Sequence, residues 1–177
     1  FAGCKELSDI TVKADKVKYG AYCFTGCKSL KEFYVNSAVL PEGMFYECEE
    51  MTKVSIGPDV NDIGVFAFRD TKIDSFEIAK KNKTYKVQTA DHILSKDGKT
   101  LVAVSPLTKG EFTESSIPEG NKISTIGKGA FSGAALTELT LPARLDSYES
   151  FSGDVIFMLA NGAKVFEGME DLATISV

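Results

Sequence analysis

Apolar and polar positions alternate in short, recurring bursts along most of the chain. Ile10-Thr11-Val12, Phe33-Tyr34-Val35, Val54-Ser55-Ile56 and Phe76-Glu77-Ile78 each read apolar, polar, apolar. That is the period of a strand with one face buried. An apolar residue stands three positions before each burst, at Leu7, Leu30, Met51 and Ile73. The same ladder returns as Leu136, Leu139 and Leu141. Turns rich in Pro or Gly follow, as in Gly57-Pro58-Asp59, Pro118-Glu119-Gly120 and Pro142-Ala143. A second apolar pair then leads onward, Val60 with Ile63 or Ile123 with Ile126, closed by Gly64 or Gly127.

Each ladder is preceded by a short word that opens with Phe. The words are Phe1-Ala2-Gly3-Cys4, Phe24-Thr25-Gly26-Cys27, Phe45-Tyr46-Glu47-Cys48, Phe68-Arg69-Asp70-Thr71, Phe131-Ser132-Gly133-Ala134 and Phe151-Ser152-Gly153-Asp154. Their phenylalanines are 23, 21, 23, 63 and 20 residues apart. Apart from the 63, these steps fall within the ~20–29 residues of a leucine-rich repeat. The pattern predicts a solenoid over residues 1–177, a single domain rich in β-structure. Short parallel strands line one face, and irregular or short helical segments return the chain. One repeat cannot bury its own apolar face, so neighbouring turns must stack. Phe68 is therefore expected to matter far more to stability than Phe112, which lies outside the words.

Two regions break the rhythm. Residues 79–117 occupy the long step and predict a β-hairpin insertion between repeats. Tyr85 to Gln88 reads as a strand, and Lys96-Asp97-Gly98-Lys99 joins His92–Ser95 to Thr100–Val104. Asp-Gly between apolar segments is a strong hairpin signal. The ladder also degrades over 143–165, where Val155, Phe157 and Leu159 alternate too soon after Phe151. A last turn is expected from Phe166 through Leu172, Ile175 and Val177. The chain opens inside a turn without Met, and is expected to be a fragment or a processed chain. Its ends are expected to expose core or to pack on flanking repeats.

The net charge of −5 and pI near 5.0 speak against a nucleic-acid partner. The densest basic group is only Lys80, Lys81 and Lys83. The longest apolar run, Val155 to Ala160, is far short of the ~20 residues that cross a bilayer.

The words Ile-Gly-x-x-x-Phe (from Ile63 and Ile126), Phe-x-Gly-Cys-x-x-Leu (from Phe1 and Phe24) and Ile-Pro-Glu-Gly (from Ile117) resemble those of the BspA-like leucine-rich repeats. The hairpin from Ile93 to Val102, followed by Pro106, resembles an insert of that family. Ala134 departs from it, standing where Cys is expected. The resemblance implies a secreted or cell-surface bacterial protein whose repeats bind host or neighbouring-cell molecules. It carries over no catalytic residue.

The candidate chemistry is sparse. Cys4, Cys27 and Cys48 each follow a repeat Phe by three positions, which predicts a stacked column of thiols. Cys23 and Cys27 have zinc-like spacing, but no second pair or His cluster accompanies them. Buried free Cys serves as a small apolar residue, and that reading is preferred. His92 is the only histidine, and its neighbour Asp91 should point elsewhere on an extended chain. The acidic groups Glu47, Glu49, Glu50 and Glu167, Glu170, Asp171 lack calcium-loop spacing. Gly127-Lys128-Gly129 lacks the phosphate-loop form. No catalytic residue, metal or cofactor is therefore expected.

What remains is the sheet face. Asp9, Thr11, Glu32, Tyr34, Lys53, Ser55, Ser75, Glu77, Glu138, Thr140, Thr174 and Ser176 alternate with the ladder and should face solvent. From these, Glu32, Tyr34, Lys53, Ser55, Glu77, Glu138 and Thr140 are the candidate site, with a protein or glycan as partner. Tyr34 is the face's one aromatic, a residue type that anchors interfaces. The near absence of aromatics favours a protein ligand. A passive spacer in a surface protein is the alternative, since exposed polar strand residues also suit plain solvation.

Overall fold

The computed structural model describes residues 1–14, 17–87, 91–117, 123–140 and 174–176. The words at Phe151 and Phe166, the degraded ladder of 143–165, the turns at Pro118 and Pro142, and the second acidic group lie outside these residues. Among the described residues the strands are, in chain order, β1 (Glu32–Val35), β2 (Val39–Leu40), β3 (Lys53–Ile56), β4 (Asp62–Ile63), β5 (Ser75–Ile78), β6 (Tyr85–Val87), β7 (His92–Ser95), β8 (Thr100–Val104), β9 (Lys109–Phe112), β10 (Thr125–Ile126), β11 (Ala135–Thr140) and β12 (Thr174–Ser176). One 3-10 turn, Glu114–Ser116, is present.

The architecture is a β-solenoid of about four turns. Strands β1, β3 and β5 form a parallel sheet in register, Phe33 beside Val54 beside Phe76. Their inward residues are buried, with only Ile78 partly open. On the return side β2 pairs in parallel with β4. Gly64 is required there, because a Cβ would lie 2.3 Å from the backbone nitrogen of Glu42. The predicted strand at Ile10-Thr11-Val12 is not formed as one, although Ile10 and Val12 pack on the core.

The Phe words form a third edge of the coil. The rings of Phe1, Phe24 and Phe45 stack in near-parallel steps of 5.5 and 6.1 Å. Backbone bonds tie word to word: Gly3 donates to Thr25 at 2.7 Å, Gly26 to Tyr46 at 2.8 Å and Glu47 to Arg69 at 3.1 Å. The residue two past each Phe is left-handed at Gly3, Gly26, Glu47, Asp70 and Gly133, with φ between 58° and 85°. Tyr22, Gly43, Phe66 and Gly129, two before the Phe, are left-handed too. Glycine is favoured at such positions because it has no Cβ to meet the backbone.

After β5 the chain leaves the ladder. β6, β7 and β8 make an antiparallel meander. The β7–β8 turn is fixed by Asp97, which accepts from Ser95 at 2.6 Å and from the Lys99 backbone at 3.0 Å. Both faces of the β7–β8 pair are buried. Ile93 and Ala103 join the core of the first turns, whereas Leu94, Leu101 and Val104 join a second core with Phe112, Ile126, Phe131 and Leu139. The pair is thus a shared wall. Asn82 anchors the start of the meander, donating to the carbonyls of Gly57 and Val60 at 2.8 and 2.9 Å. Ser105 anchors its end, donating to Ile73 at 2.6 Å.

Beyond the wall the coil resumes. β10 pairs in parallel with β8. β9, β11 and β12 form a second parallel ladder with β11 in the middle. The excursion from the ladder is therefore shorter than the sequence reading of 79–117, because Lys109–Phe112 is itself a ladder strand. The expected contrast between Phe68 and Phe112 also needs correction. Phe112 stands beside Leu139 in register, is 4% exposed, and meets Phe131 edge-on at 5.1 Å. Lys109-Gly110-Glu111-Phe112 has one inward side chain between polar neighbours, so it lacks the alternation that reveals the other strands.

Candidate functional site

The first ladder brings five of the seven sequence-predicted site residues onto one face. Parallel register sets Glu32 beside Lys53 and Ser75, and Tyr34 beside Ser55 and Glu77. Alternation along each strand turns all of them outward while Phe33, Val54 and Phe76 turn in. Cross-strand neighbours in a sheet are close enough to pair, and here they do. Lys53 Nζ lies 2.9 Å from Glu77 Oε1, and Ser55 Oγ donates to Glu77 Oε2 at 2.9 Å. The bond from Lys53, then that from Ser55, holds the Glu77 carboxyl below its ordinary range, and Glu77 raises the Lys53 ammonium in turn.

Glu138 and Thr140 are exposed as expected, but they stand on the second ladder. The seven residues therefore do not share one sheet. The β7–β8 wall separates the ladders, and the sequence shows no trace of that division. Glu138 lies in register with Glu111, a residue the sequence reading passed over. Asp9 and Thr11 are exposed, and Ser75 is half-buried.

Tyr34 is the most open of these side chains that has an apolar body, at 55% exposure. It borders a groove of roughly 300 Å³ lined by Val12, Lys13, Ala14, Asn36, Pro58 and Asp59 as well. The groove is held from behind. Asn36 Nδ2 donates to the Ala14 carbonyl at 2.7 Å, and the Tyr19 hydroxyl donates to Asn36 Oδ1 at 2.9 Å. The tip of the Tyr34 ring rests over Gly57. A Cβ on that glycine would lie 2.5 Å from the Val35 carbonyl and 3.1 Å from the Tyr34 hydroxyl oxygen. Sequence reasoning missed Lys13, Asn36 and Asp59. Gly57-Pro58-Asp59 was legible as a turn, but only the register places it under Tyr34.

The remaining sequence candidates resolve as packing and solvated charge. Cys27 and Cys48 are buried, Cys23 is half-buried and Cys4 is exposed, and all four are free thiols. Glu49 pairs with Lys28 at 2.5 Å and Glu50 with Lys72 at 2.6 Å, so two members of the acidic group are neutralised across turns. His92 is a buried packing residue, and its ring meets Phe112 at 5.6 Å. Asp91 does reach it, with Oδ1 2.7 Å from Nδ1, contrary to the expectation for adjacent residues. Among the described residues, no group of three or more His, Cys, Asp or Glu is arranged to hold a metal ion. No helix among them is long and apolar enough to cross a membrane.

The sequence matches the family model of the BspA type leucine rich repeat region in 6 copies, over residues 1–89 and 108–153. The match lapses over β7 and β8 and resumes one residue before β9. No curated protein matches the sequence. Among solved structures, the chain is similar to the pneumococcal vaccine antigen PcpA at 17% identity and a TM-score of 0.62, over 89% of this chain and 36% of that one. It is also similar to a leucine-rich repeat protein from Eubacterium ventriosum at 13% identity and a TM-score of 0.43, over 84% of this chain and 55% of that one. The chain thus spans only part of the length of either.

Proposed function

Because the chain belongs to the BspA-type leucine-rich repeat family, we propose that it is a non-catalytic recognition module of a secreted or cell-surface bacterial protein. The module presents the outer face of the β1–β3–β5 sheet to a protein or glycan. The observation that carries this reading is the gathering of Glu32, Tyr34, Lys53, Ser55 and Glu77 on one face. Such a face, rigid and solvent-exposed, is the usual binding surface of a solenoid. The non-catalytic reading rests on the family, which is a repeat scaffold. The extracellular reading rests on the same family and on the shared fold with a vaccine antigen.

One observation favours the alternative of a passive spacer. Lys53, Ser55 and Glu77 satisfy one another, which lowers their demand for a ligand. A binding screen against matrix proteins and a glycan array separates the two readings, with a Tyr34→Ala/Glu77→Lys variant run beside the native protein. Saturable binding that the variant loses supports recognition through this sheet. No binding in either panel supports the spacer.

A further inference from the structure

Resting on that reading, we infer that the groove beside Tyr34 is a subsite for the ring of a neutral sugar, with Tyr34 as its stacking platform and Asp59 and Lys13 as its polar contacts. Three features of the groove point this way.

The first is the platform. The Tyr34 hydroxyl lies close to Gly57, and more than half of the side chain is open to solvent. An exposed tyrosine ring offers a broad apolar surface at low entropic cost, since it has only two side-chain torsions to freeze. A pyranose has a matching apolar surface made of its axial C–H groups.

The second is the polar surround. Asp59 and Lys13 are both exposed at the rim, one an acceptor and one a donor. A ring of hydroxyl groups needs both. The two side chains carry opposite charges, so the rim favours neither an anionic nor a cationic ligand.

The third is rigidity. The two bonds that Asn36 makes hold the groove wall in place before any ligand arrives. The groove's volume, roughly 300 Å³, stands at the lower end of the ~300–1,000 Å³ of ordinary small-molecule sites.

The test is titration of the purified chain with neutral oligosaccharides built of glucose, galactose or N-acetylglucosamine, followed by ligand-observed NMR. The variants are Tyr34→Ala, Tyr34→Phe and Asp59→Asn, with the matrix-protein panel run in parallel. The expected result is saturable millimolar-or-tighter binding of at least one oligosaccharide. Tyr34→Phe should keep it, Tyr34→Ala should weaken it at least about tenfold, as loss of an aromatic contact does, and Asp59→Asn should weaken it too. Tyr34 is exposed, so these variants should fold, and unchanged melting temperatures check that. Sugar binding that Tyr34→Ala leaves intact overturns the inference. Protein binding through the sheet without any sugar binding overturns it as well, while leaving the recognition module standing. Silence in both panels overturns both.

Discussion

The thiol of Cys48 donates a hydrogen bond to the backbone carbonyl of Phe24, 3.1 Å away and one turn earlier in the coil. Cys27 repeats the bond to Phe1 at 3.2 Å. The column is thus a line of small side chains that satisfy carbonyls between turns, which neither metal binding nor redox chemistry requires. Burial pushes the Cys48 thiol up to about 12 and raises Cys27 as well. The thiolate is the reactive form, so these thiols should be inert while the coil is folded. A thiol reagent at neutral pH should modify Cys4 quickly, Cys23 slowly, and Cys27 and Cys48 only after unfolding. Four equivalents in denaturant complete the count. Equal rates for all four in the native protein would show that the column is open.

The left-handed position two past each Phe makes a second prediction. Glu47 holds φ at 59°, where Gly26 holds 68° in the preceding turn. A left-handed non-glycine residue costs roughly 1–2 kcal/mol, and added backbone freedom in the unfolded chain returns ~0.5–1 kcal/mol of that. Glu47→Gly should therefore stabilise the protein by up to about 1 kcal/mol, a rise of roughly 2–4 °C in Tm for a chain of this size. Gly26→Ala should destabilise it by a similar amount. Thermal melts of the two variants check this, and shifts of the same sign would remove the argument.

Phe68 and Phe112 now stand as equals. Each is buried, at 5% and 4% exposure, and each meets a phenylalanine ring at 5.1 Å: Phe76 in the first core and Phe131 in the second. Phe→Ala at a buried site costs roughly 3–5 kcal/mol. Both substitutions should fall in that range by denaturant titration. A Phe112→Ala cost below about 1 kcal/mol would mean that the second ladder is not closed on its core.

The repeat was legible because stacking makes the same demand of every turn. Phe24, Leu30, Phe33 and Val35 recur as Phe45, Met51, Val54 and Ile56, so the period survives individual substitutions. The antiparallel meander was legible from the Asp97-Gly98 turn. Its role as a wall was not. Ile93 and Leu94 are adjacent apolar residues that serve opposite cores, and an unbroken apolar run does not say that both faces are covered. Lys109–Phe112 was missed because one inward side chain gives no period. The division of the candidate site follows from that miss. Without β9 in the second ladder, Glu138 reads as a continuation of the face of Tyr34 and Glu77.

His92 sets the pH response of the second core. Burial lowers its pKa from the ordinary 6.5, outweighing the opposing pull of Asp91. The unfolded chain therefore binds a proton at a pH where the folded chain resists it. Stability must fall as pH drops below about 6.5, and must go on falling until the lower folded value is passed. The carboxylates with lowered pKa values, Glu50, Glu77 and Asp97, weaken the fold only at and below their ordinary range of 3.8 to 4.5. His92 is the sole histidine, so the interval from pH 7 to 5.5 isolates it among the side chains. Denaturant titrations across that interval should show stability declining towards pH 5.5. In His92→Gln, which keeps a polar group against Phe112, the decline should flatten even though the variant is less stable overall. A slope that persists unchanged in His92→Gln would assign the response to another group.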